Sequence, residues 1–192
     1  MKFLVTPMLL VSLLFTSSGQ AQVRLVTLEP EQVSLNDRDF YIKEVIDARD
    51  DKHSIGVAKV GVFNNKVTVD LQHGVEKALK QFLDSSLPKE KGQIGLILKV
   101  GKLSISDKSS FTNSSGRVDV TLDFYITNES SIAKVYTAKV VYKTKALNVM
   151  KQIPESVKTA LLKGVKEFDQ SKWQDVPPVF EDRDVLDVYR QR

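Results

Sequence analysis

The chain has 192 residues, with 28 Lys and Arg against 24 Asp and Glu, a net charge of +4, and no cysteine. Opposite charges are interspersed, which is not the concentrated basic stripe of a nucleic-acid binder, and without cysteine there is neither a disulfide nor thiol chemistry. The composition is that of an ordinary globular chain, and the length suits one domain with a substantial core.

Lys2 precedes an apolar stretch ending at Met8 to Phe15, followed by Thr16-Ser17-Ser18-Gly19-Gln20-Ala21. One positive charge, a short apolar run and small residues at Gly19 and Ala21 form the pattern of a secretory signal peptide. Residues 1–21 are expected to be cleaved off between Ala21 and Gln22. The run is too short for the ~20 apolar residues of a bilayer span, and no later segment reads as transmembrane. The expected compartment is the periplasm or the extracellular space.

Residues 22–38, broken by Pro30, read as a short extended arm or edge strand. Residues 39–47 form the first firm strand, and 48–54 a polar loop. Ile55-Gly56-Val57 to Val62 and Val67-Val69 read as two strands, with Asn64-Asn65 suited to a two-residue hairpin turn because Asn tolerates positive φ. Asp70 is placed to cap a helix. Leu71, Val75, Ala78, Leu79, Phe82 and Leu83 then recur at spacings of three and four, one apolar stripe of about four turns, stopped by Leu87-Pro88 and Gly92.

In the stretch from Ile94 to Ile105 the apolar positions change phase at Gly101, which predicts a β-bulge. Residues 118–127 alternate cleanly: Val118, Val120, Leu122, Phe124 and Ile126 on one face, Asp119, Thr121, Asp123, Tyr125 and Thr127 on the other. A hairpin around Glu129-Ser130 leads into a strand at 132–146, whose several lysines suit a solvent-facing side. Pro154 suits a first helical position; Val157, Leu161, Leu162, Val165 and Phe168 form a second stripe, weakened by Gly164 inside it. Residues 175–192 read as a tail, either docked through Val179 and Phe180 or disordered. The predicted architecture is an α+β two-layer sandwich: a mostly antiparallel sheet covered by two amphipathic helices, in one domain over 22–174.

No catalytic constellation stands out. Asp47, Asp50 and Asp51 precede His53, but the spacing is not that of a calcium loop, and a solvated acidic loop explains it. His73 and Glu76 sit three apart on the first helix without the further ligands a zinc site needs. No serine lies in a nucleophile elbow, and Gly92-Gln93-Ile94-Gly95 precedes a strand, not the helix of a phosphate loop. No cofactor, metal site or catalytic residue is assigned. Two aromatics are candidate partner contacts. Phe111 stands mid-way in the polar loop 106–117, where a loop-tip aromatic can anchor a partner, or it folds back onto the sheet edge. Trp173 is either an interface residue or packs the second helix against the sheet.

The segment from Phe40 to about Ala146 resembles the YajG-like group of bacterial envelope lipoproteins. The residues that carry the resemblance are Asp47-Ala48-Arg49 at a strand end, the following Ile55-Gly56, the helix Val75, Leu79, Phe82-Leu83, the strand Leu96 to Val100 with Leu103, and the alternating strand Val118 to Ile126. It implies an envelope-associated α+β domain without known catalysis. The chain departs in having no lipid-accepting cysteine, which puts that family's membrane anchoring in question here. The expected function is that of an exported, non-enzymatic binding or structural module acting through protein contacts with an envelope partner, in an oligomeric state the sequence leaves open. The alternatives are a small-ligand carrier, or a periplasmic enzyme using the Asp47–His53 loop.

Overall fold

The computed structural model describes residues 23–35, 38–61, 63, 65–107, 115–145 and 149–190. The expected cleavage site at Ala21–Gln22, Asn64 and Phe111 lie outside the described residues.

The elements in chain order are β1 (Val23–Val26), β2 (Phe40–Asp47), β3 (Gly56–Val60), β4 (Asn65–Leu71), α1 (Gly74–Ser86), β5 (Ile94–Asp107), β6 (Ser115–Asn128), β7 (Ser131–Lys145), α2 (Val149–Asp169), β8 (Glu181–Asp182) and α3 (Asp184–Arg190). They form an α+β fold around one curled sheet of order β1-β4-β3-β5-β6-β7-β8, with β2 paired to β5. The sheet is mixed, a correction to the expected mostly antiparallel one. The β5-β6-β7 meander and the β3/β4 hairpin are antiparallel, but β1/β4, β2/β5 and β3/β5 run parallel. The parallel pairs join strands far apart in the chain, whereas hairpin-length links report only antiparallel neighbours.

Local patterning sets most elements. The bulge falls where the phase change put it: Val100 pairs Leu122 and Lys102 pairs Thr121, leaving Gly101 extra. Asn128 faces Ser131 across the Glu129-Ser130 turn. The β3/β4 link is longer than a two-residue turn, since Val60 pairs Asn65, and Gly61 takes the positive φ of 71° that the turn demands. Asp70 does not cap α1. It stays in β4 opposite Leu25, and the chain turns through His73 and Gly74, at φ 75° and 76°, before the helix begins. α2 starts at Val149, ahead of Pro154, which sits inside the helix. The missing N–H costs one helical bond, which burial of Val149 and Ile153 against the sheet offsets.

Two apolar clusters lie on opposite sheet faces. The main one joins α1 and α2 to inward residues such as Leu96, Leu98 and Phe124. Its aromatic centre is Phe168, stacked on Phe124 at 4.2 Å and on Trp173 at 5.2 Å, with Phe40 edge-on at 4.9 Å. A Cβ at Gly164 would lie 3.0 Å from Leu122 Cδ1, so the glycine lets α2 approach the sheet closely. The smaller cluster uses the alternate positions Ile46, Ile97, Tyr125 and Ile132, covered by Leu186 and Tyr189 of α3. The tail therefore crosses to the other face and docks through Leu186, while Val179 is 82% exposed. Arg183, bonded to Glu44 at 3.0 Å, holds it there. No helix among the described residues is long and apolar enough to cross a membrane.

Candidate functional site

β5 is served on one side by two strands in succession, and the sheet forks between them. β2 pairs with it as far as Val100, and β3 takes over at Ile105. Residues 101–104, beginning at the Gly101 bulge, have no strand partner on that side among the described residues, and the loop 48–55 arches past them. The Ala48 N–H donates to the Val100 carbonyl at 3.0 Å, and the Ile105 N–H to the Ile55 carbonyl at 2.6 Å, closing the two ends of the arch.

A buried ion pair stiffens this arch. Asp47 Oδ1 accepts from Arg49 Nε at 2.8 Å and Oδ2 from Nη2 at 2.9 Å, while Arg49 Nη1 donates to the Ser54 carbonyl at 2.8 Å. Both side chains are under one-tenth exposed. The fork-to-fork geometry of guanidinium and carboxylate explains why these two residue types stand there. The Asp47 N–H donates in turn to Glu76 Oε1 at 2.8 Å, tying the end of β2 to α1. Gly56, at φ 137°, lies so close to β5 that a Cβ would sit 2.3 Å from the Ile105 carbonyl oxygen. Asp47-Ala48-Arg49 and Ile55-Gly56 are thus the residues that build the fork.

The arch and β5 enclose an open cleft of about 320 Å³, lined by Asp50, Asp51, Ser54, Lys102 and Ser104 beside Arg49 and Gly56. Asp47, committed to Arg49, is not available there as a free carboxylate. Asp51 accepts the His53 N–H at 2.9 Å and faces His53 Nδ1 at 3.2 Å. These bonds, the backbone one first, hold the Asp51 carboxyl below its ordinary range. Among the described residues, no group of three or more His, Cys, Asp or Glu is placed to hold a metal ion. His73 and Glu76 belong instead to a second open cleft of about 270 Å³, between the start of α1 and α3, with Lys52, Lys77 and Arg190 around it. Lys52 Nζ donates to the Tyr189 carbonyl at 2.7 Å across it.

The longest unsatisfied feature is an edge. β7 pairs with β6 along its whole length, but on its other side, among the described residues, only Ser131 and Ile132 are paired, to Asp182 and Glu181 of β8. From Ala133 to Lys145 that side has no strand partner among the described residues. Pro177-Pro178 stand just ahead of β8 in the tail, and a proline has no N–H to extend a ladder. On the sheet face away from α2, β7 presents Lys139, Val141, Lys143 and Lys145 at alternate positions, all exposed. None of these lysines makes an ion pair with a described residue. The neighbouring Asp119 on β6 is taken by Arg117 at 2.6 Å. Hydrogen bonds from Arg117 hold the Asp119 carboxyl below its ordinary range, against a smaller upward push from burial.

Of the two aromatics singled out from the sequence, Trp173 is 4% exposed and packs on Phe168 in the core; it presents almost nothing to a partner. Phe111 lies outside the described residues. Phe63, in the β3/β4 link, is 88% exposed. The sequence pointed to an edge strand as a partner surface without identifying β7 as that edge, although the alternate lysines of 139–145 were its visible signal, and it marked Asp47-Ala48-Arg49 and Ile55-Gly56 without revealing the fork they build. No family model, no curated protein and no solved structure matches this chain.

Proposed function

We propose that this chain is an exported, non-enzymatic binding module of the bacterial cell envelope that works through protein contacts along the open edge of β7. The observation that carries the reading is that edge: a strand running to Lys145, solvent-facing, with no strand partner among the described residues on that side from Ala133 onward. Natural sheets cover or shorten such edges, and strand addition is a recurrent mode of peptide recognition. The working body is a two-layer sandwich of sheet and α1–α2, mostly antiparallel on the β5-to-β8 side, with α3 as a clip on the outer face. The leader pattern in residues 1–21 supports export to the periplasm or beyond, and the resemblance to YajG-like envelope proteins supports the same compartment.

The test is site-specific photo-crosslinking in the native envelope. A photoreactive residue replacing Val141 is expected to trap one dominant polypeptide that the same residue at Gln81, exposed on α1, does not. Equal trapping from both positions, or none from Val141, sinks the reading. The fork cleft favours a second reading, a small-ligand carrier. That reading predicts ligand-dependent thermal stabilisation that disappears when Lys102 and Asp50 are replaced together.

A further inference from the structure

We infer that the free edge of β7 takes an extended, acidic strand of a partner protein, added antiparallel in line with β8. The inference rests on reading this edge as the protein-contact surface and names the chemistry of what binds it.

Three observations converge on that occupant. The first is charge. Lys139, Lys143 and Lys145 recur with the two-residue period of one sheet face. The strands behind them add one cation in the same cross-strand rows, Lys102 in the row with Thr121 and Lys139, while Arg117, in the row with Ser106 and Lys143, is neutralised by Asp119. Asp119, the acidic residue between the rows, is already bound to Arg117. A strand laid beside β7 finds a cationic row on this face, and carboxylates at its alternate positions pair across it.

The second observation disfavours the same edge of a second copy of this chain as the occupant. Antiparallel pairing of β7 with its own copy sets positions from the Lys139, Val141, Lys143, Lys145 face against one another. Lysine then faces lysine or valine, and like charges directly opposite repel.

The third is the chain's own tail. The segment that does pair with this side of β7 is Glu181–Asp182, acidic at both positions and antiparallel. It shows, on two residues, the pairing that the rest of the edge leaves unfilled. Pro177-Pro178 keep the tail from extending it, and no other strand among the described residues pairs the stretch from Thr137 to Lys145 on this side.

The probe is a labelled peptide alternating Glu with Val or Thr, titrated into the full chain by fluorescence anisotropy. Binding is expected, weakening as salt rises. The K139E/K143E/K145E variant is expected to lose on the order of tenfold or more in affinity, with the neutral K139Q/K143Q/K145Q variant between the two. A peptide N-methylated at alternate residues, which keeps its charge but not its backbone donors, is expected not to bind. Circular dichroism and thermal melting establish that the variants fold. The inference is overturned if the acidic peptide does not bind, if it binds the charge-reversed variant equally, or if the N-methylated peptide binds as well. Crosslinking from Val141 without acidic-peptide binding removes only the acidic strand, whereas loss of the Val141 crosslink removes the surface itself.

Discussion

Replacing Arg49 with Met tests whether the fork is held by its buried ion pair. The substitution keeps the volume roughly constant and removes the guanidinium. Asp47 then loses the bonds at 2.8 and 2.9 Å and retains only the Arg49 backbone N–H at 3.2 Å. The Ser54 carbonyl loses its donor at the same time. Breaking a buried pair by removing one partner costs about 3–5 kcal/mol, mostly the penalty of the charge left behind. For a domain of this size that is about 6–20 °C in Tm, and a large share of a typical stability of about 5–15 kcal/mol. Because the penalty belongs to the stranded carboxylate, neutralising it should recover part of the loss. The D47N/R49M double variant is expected to lose at least ~1 kcal/mol less than the sum of the two single losses. Urea denaturation followed by circular dichroism measures all four proteins. An R49M protein within about 1 kcal/mol of the parent, or losses that simply add, refutes the reasoning.

Two further substitutions probe the fork and the end of α2. G56A is expected to cost about 3 kcal/mol or more, combining a left-handed φ with a Cβ driven into the Ile105 carbonyl. G61A, also at positive φ but with nothing within 4 Å of its Cβ, is expected to cost only about 1 kcal/mol. Equal losses in urea melts would dismiss the close approach at Gly56. Asp169 ends α2, where burial first and then the Asp39 carboxylate hold its pKa above 3.8, against a smaller pull from Arg38. A carboxyl whose folded pKa is raised binds its proton more readily in the native state. It therefore subtracts stability above that pKa, and the penalty fades as pH falls through it. D169N is expected to be more stable by about 0.5 kcal/mol near neutral pH, the helix C-terminus also disfavouring a negative charge. The advantage should vanish below pH 3.8. Thermal melts across the acid range check it, and an advantage that is absent, or constant with pH, contradicts the assignment.

Much of the local structure follows from the residues alone. Alternation at 118–127 sets the two faces of β6, and it extends further than an inside-outside rule implies. Asp123 and Tyr125, on the polar side, are buried too, because α3 covers that face. The stripe from Val75 to Leu83 buries one side of α1, and the phase change at Gly101 places the bulge. These are effects of neighbouring residues on one another, and the side-chain period of a helix or strand exposes them directly.

What the residues left undecided was decided by partners distant in sequence. Period shows which face a strand buries, not which strand lies beside it. The parallel pairing of β2 with β5, the fork at residues 101–104 and the burial of Asp47 and Arg49 follow from tertiary contacts. Pro154 would start a helix by local rules, yet the apolar contacts of Val149 and Ile153 draw α2 back past it. The tail likewise leaves most of its apolar residues exposed, and Leu186 finds its site only once Ile46, Ile97 and Ile132 share one face of the sheet. Chemistry and periodicity along the chain thus determined the elements and the lysine row of β7. Only the folded sheet, by leaving that strand at its margin, decided that the row would border an open edge.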